Sequence, residues 1–213
     1  MKRLLFLCFL FIQYCAVNAQ NLTGKWEGYI FTSLKDRVSK SHLFFELKQQ
    51  QRAVWGIYNK TSSRNNSKTG CLCSVSAILS KKQDSYFDIY KEKVEEIGSN
   101  YTFQGCDFIN RLAVHYVIVD SIEYLVGKWY TAQKALALSD GSEGVFILKH
   151  VGTETARNID SYFPKLEKFI RKGDINEDSD AKKSILIPDT FNNLNNEEKE
   201  LVNFLRSNSS SSQ

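Results

Sequence analysis

Between residues 24 and 150, apolar and polar side chains change places at every second residue, in short runs broken by polar turns. Such a rhythm belongs to strands with one covered face. The runs place strands at 24–32, 42–49, 53–60, 71–79, 84–91, 111–119, 122–131 and 144–150. The second sets Leu43, Phe45 and Leu47 on one face with His42, Glu46 and Lys48 largely on the other, and the fifth sets Phe87 and Ile89 against Asp88 and Lys91. Short strands joined in order by turns predict a meandering antiparallel sheet. The sixth run differs, because Leu112, Val114, Tyr116 and Ile118 alternate with Ala113, His115, Val117 and Val119. A strand apolar on both faces fills the interior with one and lies under a further segment with the other.

The first run opens on Leu22-Thr23-Gly24-Lys25-Trp26, and its alternation continues through Gly28, Ile30 and Thr32. A glycine two residues before a tryptophan lets the backbone come close while the indole plugs an apolar interior. The triplet returns as Gly127-Lys128-Trp129, which reads as two strands that each need a close approach beside an indole. Trp26 and Trp129 are therefore expected as barrel plugs, sealing one end as a pair. The connections Ser33 to Ser41 and Thr61 to Gly70 are long and polar, and loops of that kind carry binding residues.

After His150 the period becomes helical: Ala156, Ile159, Phe163, Leu166 and Ile170 recur at spacings of three and four, with Pro164 breaking or restarting the helix. A helix over 153–172 is expected to pack on the outer face of the strand at 111–119. An acidic linker over 173–186 comes next, then a short helix at 195–206 that starts at Asn195 with Glu198 completing a capping box. The chain thus divides into 20–150, a barrel, and 151–206, a helical appendage, with a polar tail over 207–213.

Ahead of the barrel, Met1-Lys2-Arg3 is basic, Leu4 to Ile12 is unbroken apolar, and Val17-Asn18-Ala19 suits a signal peptidase. Residues 1–19 are expected to be a signal peptide cleaved after Ala19, which makes the chain exported, periplasmic or secreted. Nine apolar residues fall well short of the roughly 20 that span a bilayer. Cleavage takes the formal charge from +4 to +2, because Lys2 and Arg3 leave, and no basic run carries interleaved aromatics. Nucleic acid is not an expected partner. Cys8 and Cys15 leave with the signal, so Cys71, Cys73 and Cys106 remain, and in an oxidising compartment one disulfide joins Cys106 to Cys71 or Cys73.

Leu22-Thr23-Gly24-Lys25-Trp26 followed by eight strand-like runs resembles the calycin superfamily of lipocalins, fatty-acid-binding proteins and avidins. The chain is also similar to small exported barrel proteins of Bacteroidetes, in keeping with its Asn- and Lys-rich, Pro-poor composition. The resemblance implies an eight-stranded antiparallel barrel, so the fold class is mainly β, a calycin-like barrel with a C-terminal helical appendage. Avidins follow that tryptophan with an asparagine and a serine that hold biotin, whereas Gly28 and Thr32 stand here, which argues against biotin. Lipocalins pack an arginine over the tryptophan; here the nearby cations are Lys149 and Arg157. Lys149 on Trp26 would make a cation–π contact worth roughly 0.5–2 kcal/mol.

Motifs for chemistry are missing. The chain has no Gly-x-Ser-x-Gly elbow, no phosphate loop and no His-Glu-x-x-His, and His115 in its apolar strand reads as a packing residue. Asp174 to Asp180 spaces oxygens as a calcium loop does, but Ser179 and Ile185 stand where glycine and glutamate are required, so a plain linker is expected. Asn-x-Ser/Thr triplets begin at Asn21, Asn59, Asn65, Asn100 and Asn208 and are read as asparagine abundance. The expectation is a non-enzymatic barrel with no cofactor and no metal. It binds a small apolar or amphipathic ligand in its interior, lined by Phe45, Trp55, Tyr86 and Tyr116. The alternative is a filled barrel that engages protein or glycan through its loops.

Overall fold

The strands expected from the alternation all form. In the computed structural model, which describes residues 21–33, 40–62, 70–80, 84–98, 106, 109–135, 141–155, 158–174 and 186–209, they are β1 (Gly24–Phe31), β2 (Lys40–Gln50), β3 (Ala53–Ser62), β4 (Cys71–Ile78), β5 (Tyr86–Glu96), β6 (Arg111–Val119), β7 (Ile122–Tyr130) and β8 (Glu143–Gly152). Each pairs antiparallel with the next, β8 returns to pair with β1, and β5–β6 pairing completes an eight-stranded closed barrel. This architecture is consistent with a calycin-like fold. A short α1 (Ala132–Ala135) lies between β7 and β8.

The two ends of the barrel are built differently. At one, β2 and β3 are joined by Gln51 and Arg52 alone, and β6 and β7 by Asp120 and Ser121. Asp120 and Ser121 both have positive φ, 51° and 64°, the requirement of a type I′ hairpin turn whose twist matches its strands. At the other end stand the longer connections, and the polar loops at 33–41 and 61–70 fall largely outside the described residues.

Both Gly-Lys-Trp triplets answer to the backbone. Gly24 has φ +143°, and a Cβ there would sit 2.4 Å from both the Gly152 carbonyl oxygen and His150 Nε2. At Gly127, φ +156°, it would meet the Ala113 carbonyl oxygen at 2.0 Å. In each case only glycine lets the neighbouring strand come in, so the indole two residues later swings inward.

Beyond β8 the chain wraps two faces of the outside. A 3₁₀ turn (Ile159–Tyr162) and α2 (Leu166–Asp174), separated at Pro164, lay Ile159, Tyr162, Phe163, Leu166, Phe169 and Ile170 on Ala53, Trp55, Ile57 and Leu72 of β3 and β4. Asp160 fixes the turn, accepting from Trp55 Nε1 at 3.0 Å and Lys48 Nζ at 2.8 Å. The chain then adds β9 (Asp189–Thr190), parallel to Val117 and Ile118 of β6, and a second 3₁₀ turn (Phe191–Asn193). Finally α3 (Asn196–Ser209) packs Leu201, Val202 and Leu205 on Val117, Val119, Tyr124, Val126, Val145 and Ile147. The second apolar face of β6 is thus covered by the C-terminal segment, as its composition required. The covering helix is α3, and the segment expected there, 153–172, instead lies on β3 and β4. Trp55 explains the exchange, because it presents the outer face of β3 with an apolar ring that needs a cover of its own.

The disulfide joins Cys71 to Cys106, with Cα atoms 5.2 Å apart. Cys73 stays outside it, a buried thiol facing the Cys106 carbonyl oxygen at 3.8 Å. Such a bond belongs to chains that mature in an oxidising, extracytoplasmic compartment; residues 1–20 lie outside the described residues.

Leu201 has no exposed surface and sits between α3 and the barrel. Leu201→Ala is expected to lower the unfolding free energy by about 2–5 kcal/mol in urea titration, whereas truncating the partly buried Ile170 on α2 costs less.

Candidate functional site

The inward faces of all eight strands meet in one apolar cluster that includes Trp26, Phe45, Tyr58, Val75, Ile89, Tyr116, Trp129 and Phe146. Of the four expected lining residues, Phe45 and Tyr116 lie in it, and Phe45 packs on Tyr58 with ring centroids 5.5 Å apart. Trp55 and Tyr86 do not. Val54 and Tyr58 of β3 face inward, which turns Trp55 outward onto α2, and Phe87 and Ile89 of β5 face inward, which turns Tyr86 outward. The alternation of the fifth run already carried that parity for Tyr86. In the third run both faces are apolar, so nothing in the sequence separated Trp55 from its neighbours.

Trp26 and Trp129 are both inside, but they do not seal one end together. Trp26 sits opposite His150 at the start of β1, whereas Trp129 sits opposite Gly144 and donates from Nε1 to the Phe31 carbonyl at the end of β1, 2.8 Å away. Each indole closes a different end. A three-residue repeat carries no information about where along its strand it falls, and β1 and β7 run in the same direction with the triplet at opposite ends.

Around Trp26 a partly buried polar chain has formed. Its Nε1 donates to the Leu22 carbonyl at 3.0 Å, and the His150 imidazole lies on its face, centroids 4.7 Å apart at 34°. Glu123 receives His150 Nδ1 at 2.7 Å and the Tyr116 hydroxyl at 2.8 Å. Burial, then the hydrogen bond to Glu123 and its charge, push the Tyr116 phenol far above its ordinary range, so it stays a donor. The residue over the tryptophan is therefore His150 rather than Lys149, which pairs with Glu27 and Tyr124 in the β1 and β7 ladders; Arg157 lies outside the described residues. His150 Nε2 is buried against Gly24 with no hydrogen-bond partner. The imidazole is a lock on the plug, stacked on the Trp26 ring and partly exposed at the barrel rim. A shallow cavity of about 490 Å³ lies outside it, lined by Ile118, Ser121, Ile122, Glu123, Lys149 and His150.

A second cavity, about 550 Å³, runs along the outside between β4, β5 and α2. Its floor is the outer row of β5, where Tyr86 and Tyr90 are 52% and 47% exposed, with Asp88 between them and Glu92 beyond. Phe169 and Lys172 of α2 form the opposite wall. Three supports hold the row. The Tyr86 ring is stacked on His115 at 3.9 Å and 21°. Asp88 receives Arg111 through both oxygens at 2.9 and 3.0 Å, and Arg111 lies over the Tyr130 ring. Glu92 accepts the Ser76 hydroxyl. Burial first, and then neighbouring carboxylates, raise the phenols of Tyr86 and Tyr90, so both present neutral hydroxyls.

His115 is the packing residue its strand implied, but its partners were illegible in sequence. Its Nδ1 meets Glu198 Oε1 at 3.1 Å and its Nε2 meets Asp189 Oδ2 at 3.4 Å, contacts spanning 83 and 74 positions. Glu198 also completes the expected capping box, receiving Asn195 N–H at 3.0 Å while its own N–H donates to Asn195 Oδ1 at 2.9 Å. One carboxylate therefore starts α3, holds His115 and so backs Tyr86.

Asp160 and Asp189 tie the appendage to the barrel with carboxyls held below the ordinary value of 3.8. The Lys48 hydrogen bond dominates for Asp160; for Asp189, burial pulls upward but is outweighed by hydrogen bonds from Asn193, Thr190 N–H and His115. Carboxylates with depressed values stabilise above the unfolded-state value, and that stability is lost as the pH falls through the folded value. Hydrogen exchange should therefore show α2 and α3 losing protection on acidification below about pH 4 before the barrel strands do.

Comparisons with protein-family models, with curated proteins and with solved structures find no match to this chain.

Proposed function

We propose that the chain is an exported, non-enzymatic calycin-like barrel, filled by its own side chains, that binds its partner on the outer surface along β5. The observation that carries this reading is the single apolar cluster fed by every strand, with Trp26 and Trp129 at its two ends. Eight strands enclose a space just wide enough for side chains or for one small ligand. Large rings from β1, β2, β3, β6, β7 and β8 occupy it here. The barrel architecture is equally compatible with an apolar or amphipathic ligand in the interior, and the packing of Phe45 against Tyr58 weighs against that alternative. The cavity at the Trp26 end opens at the barrel rim and the other runs along the outside of β4 and β5. Pockets in which fixed polar groups stand beside aromatic rings are where ligands bind, and the β5 groove is of that kind.

Phe45→Ala separates the two readings. In a filled barrel it removes a packed ring and is expected to cost about 3–5 kcal/mol in urea unfolding; beside an open cavity it is nearly neutral. Native mass spectrometry of the purified protein should give the bare polypeptide mass, and a stoichiometric lipid would overturn the filled barrel.

A further inference from the structure

We infer that the β5 groove takes a neutral oligosaccharide, with sugar rings stacked on Tyr86 and Tyr90. The inference rests on the outer-surface reading above and names the ligand class of that site.

Tyr86 and Tyr90 stand on the same face of one strand, four residues and hence about 13 Å apart, too far to close around one small group and well placed for two separate units of a chain. Both rings are about half exposed. Tyr86 has its back to His115, a side chain only 1% exposed and held at both nitrogens by carboxylates, so its ring is fixed before any ligand arrives. A platform ordered in advance spares the ligand the entropy of ordering it. A pyranose presents a face of C–H groups to the negative face of an aromatic ring and a rim of hydroxyls to whatever lies beside it. Beside these rings lie the carboxylates of Asp88 and Glu92, which accept hydroxyl hydrogens, and the ammonium of Lys172, which donates.

The same groups exclude other ligands. A hydrocarbon chain would cover Asp88 and Glu92 without replacing their water, which costs free energy for each. An anion or a nucleic-acid backbone would meet both carboxylates. A cation would meet Arg111, already seated on Asp88, and Lys172 on the opposite wall. A neutral polyol satisfies donors and acceptors together and leaves the Asp88–Arg111 pair intact.

Electrophoresis through native gels containing soluble β-glucan, xylan, galactomannan or starch tests this, with polygalacturonate as the anionic control. At least one neutral polysaccharide should retard the protein and polygalacturonate should not. Tyr90→Ala, which removes a half-exposed ring whose hydroxyl donates to Asp88, should weaken the retardation about tenfold, and the Tyr86→Ala/Tyr90→Ala double variant should abolish it with the circular dichroism spectrum unchanged. Retardation that survives the double variant puts the sugar elsewhere and overturns the inference. So does migration unaffected by all four neutral polysaccharides, and so does self-association in sedimentation that the same substitutions remove, which gives the groove to a second copy. None of these readouts involves the barrel interior. A tolerated Phe45→Ala or a co-purified lipid would bring down the filled barrel separately.

Discussion

The barrel depends on the seam between β5 and β6. Seven ladders would make only an open sheet with β5 at one edge and β6 at the other, and five residue pairs, Tyr86–Tyr90 against Arg111–His115, turn that sheet into a tube. An open edge exposes unpaired backbone groups and invites other strands. The chain reinforces this seam from three sides. The Cys71–Cys106 bond ties the connection between β5 and β6 back to β4. Asp88 and Arg111 bridge the two strands directly. Where β5 has not yet begun, β9 pairs with Val117 and Ile118 and covers the edge that β6 would leave. Tyr86, Asp88 and Tyr90 of the groove are outer side chains of that same seam, so closing the tube also sets the groove's aromatic row.

Much of this was legible in the sequence, for a physical reason. Period-two alternation is set by the pleat, and the pleat is local, so the strand positions and the second covered face of β6 could be read from neighbouring residues. Phe45 and Tyr116 came from it. Trp55 reads as interior because both faces of β3 are apolar, and Tyr86 because its ring outweighs a parity that Phe87 and Ile89 already fix. Pairings across the fold were not legible at all. Nothing near His115 announces Glu198 or Asp189, and nothing in the period of 153–172 says which strand it will cover, because helical stripes of similar width fit any apolar outer face. His150 is hidden for a simpler reason: the cation expected over Trp26, Lys149, stands one residue too early and so on the opposite face of β8.

The appendage is a brace as much as a covering. Its two helices sit on β3–β4 and on β6–β8, nearly opposite faces of the tube, each with its own apolar cluster. Asp160 and Glu198 are two of its polar joints, and each serves several neighbours at once. Asp160 takes a lysine and an indole from adjacent strands, and Glu198 takes the start of α3 together with His115. Removing either carboxyl strands a partner that is wholly or partly buried, which is a heavier loss than the hydrogen bond alone.

The β1–β8 ladder pairs the first barrel strand with the last barrel strand, Lys25 facing Gly152 and Phe31 facing Val145. A chain that emerges amino terminus first therefore has no partner for one side of β1 until the eighth strand has emerged. Trp26 has Phe45 across β2 early, but its His150 lid arrives only with that final barrel strand. Long-range closure of this kind slows folding. The indole that opens the barrel is thus among the last of its residues to be sealed, and one of its faces stays uncovered until β8 has been made.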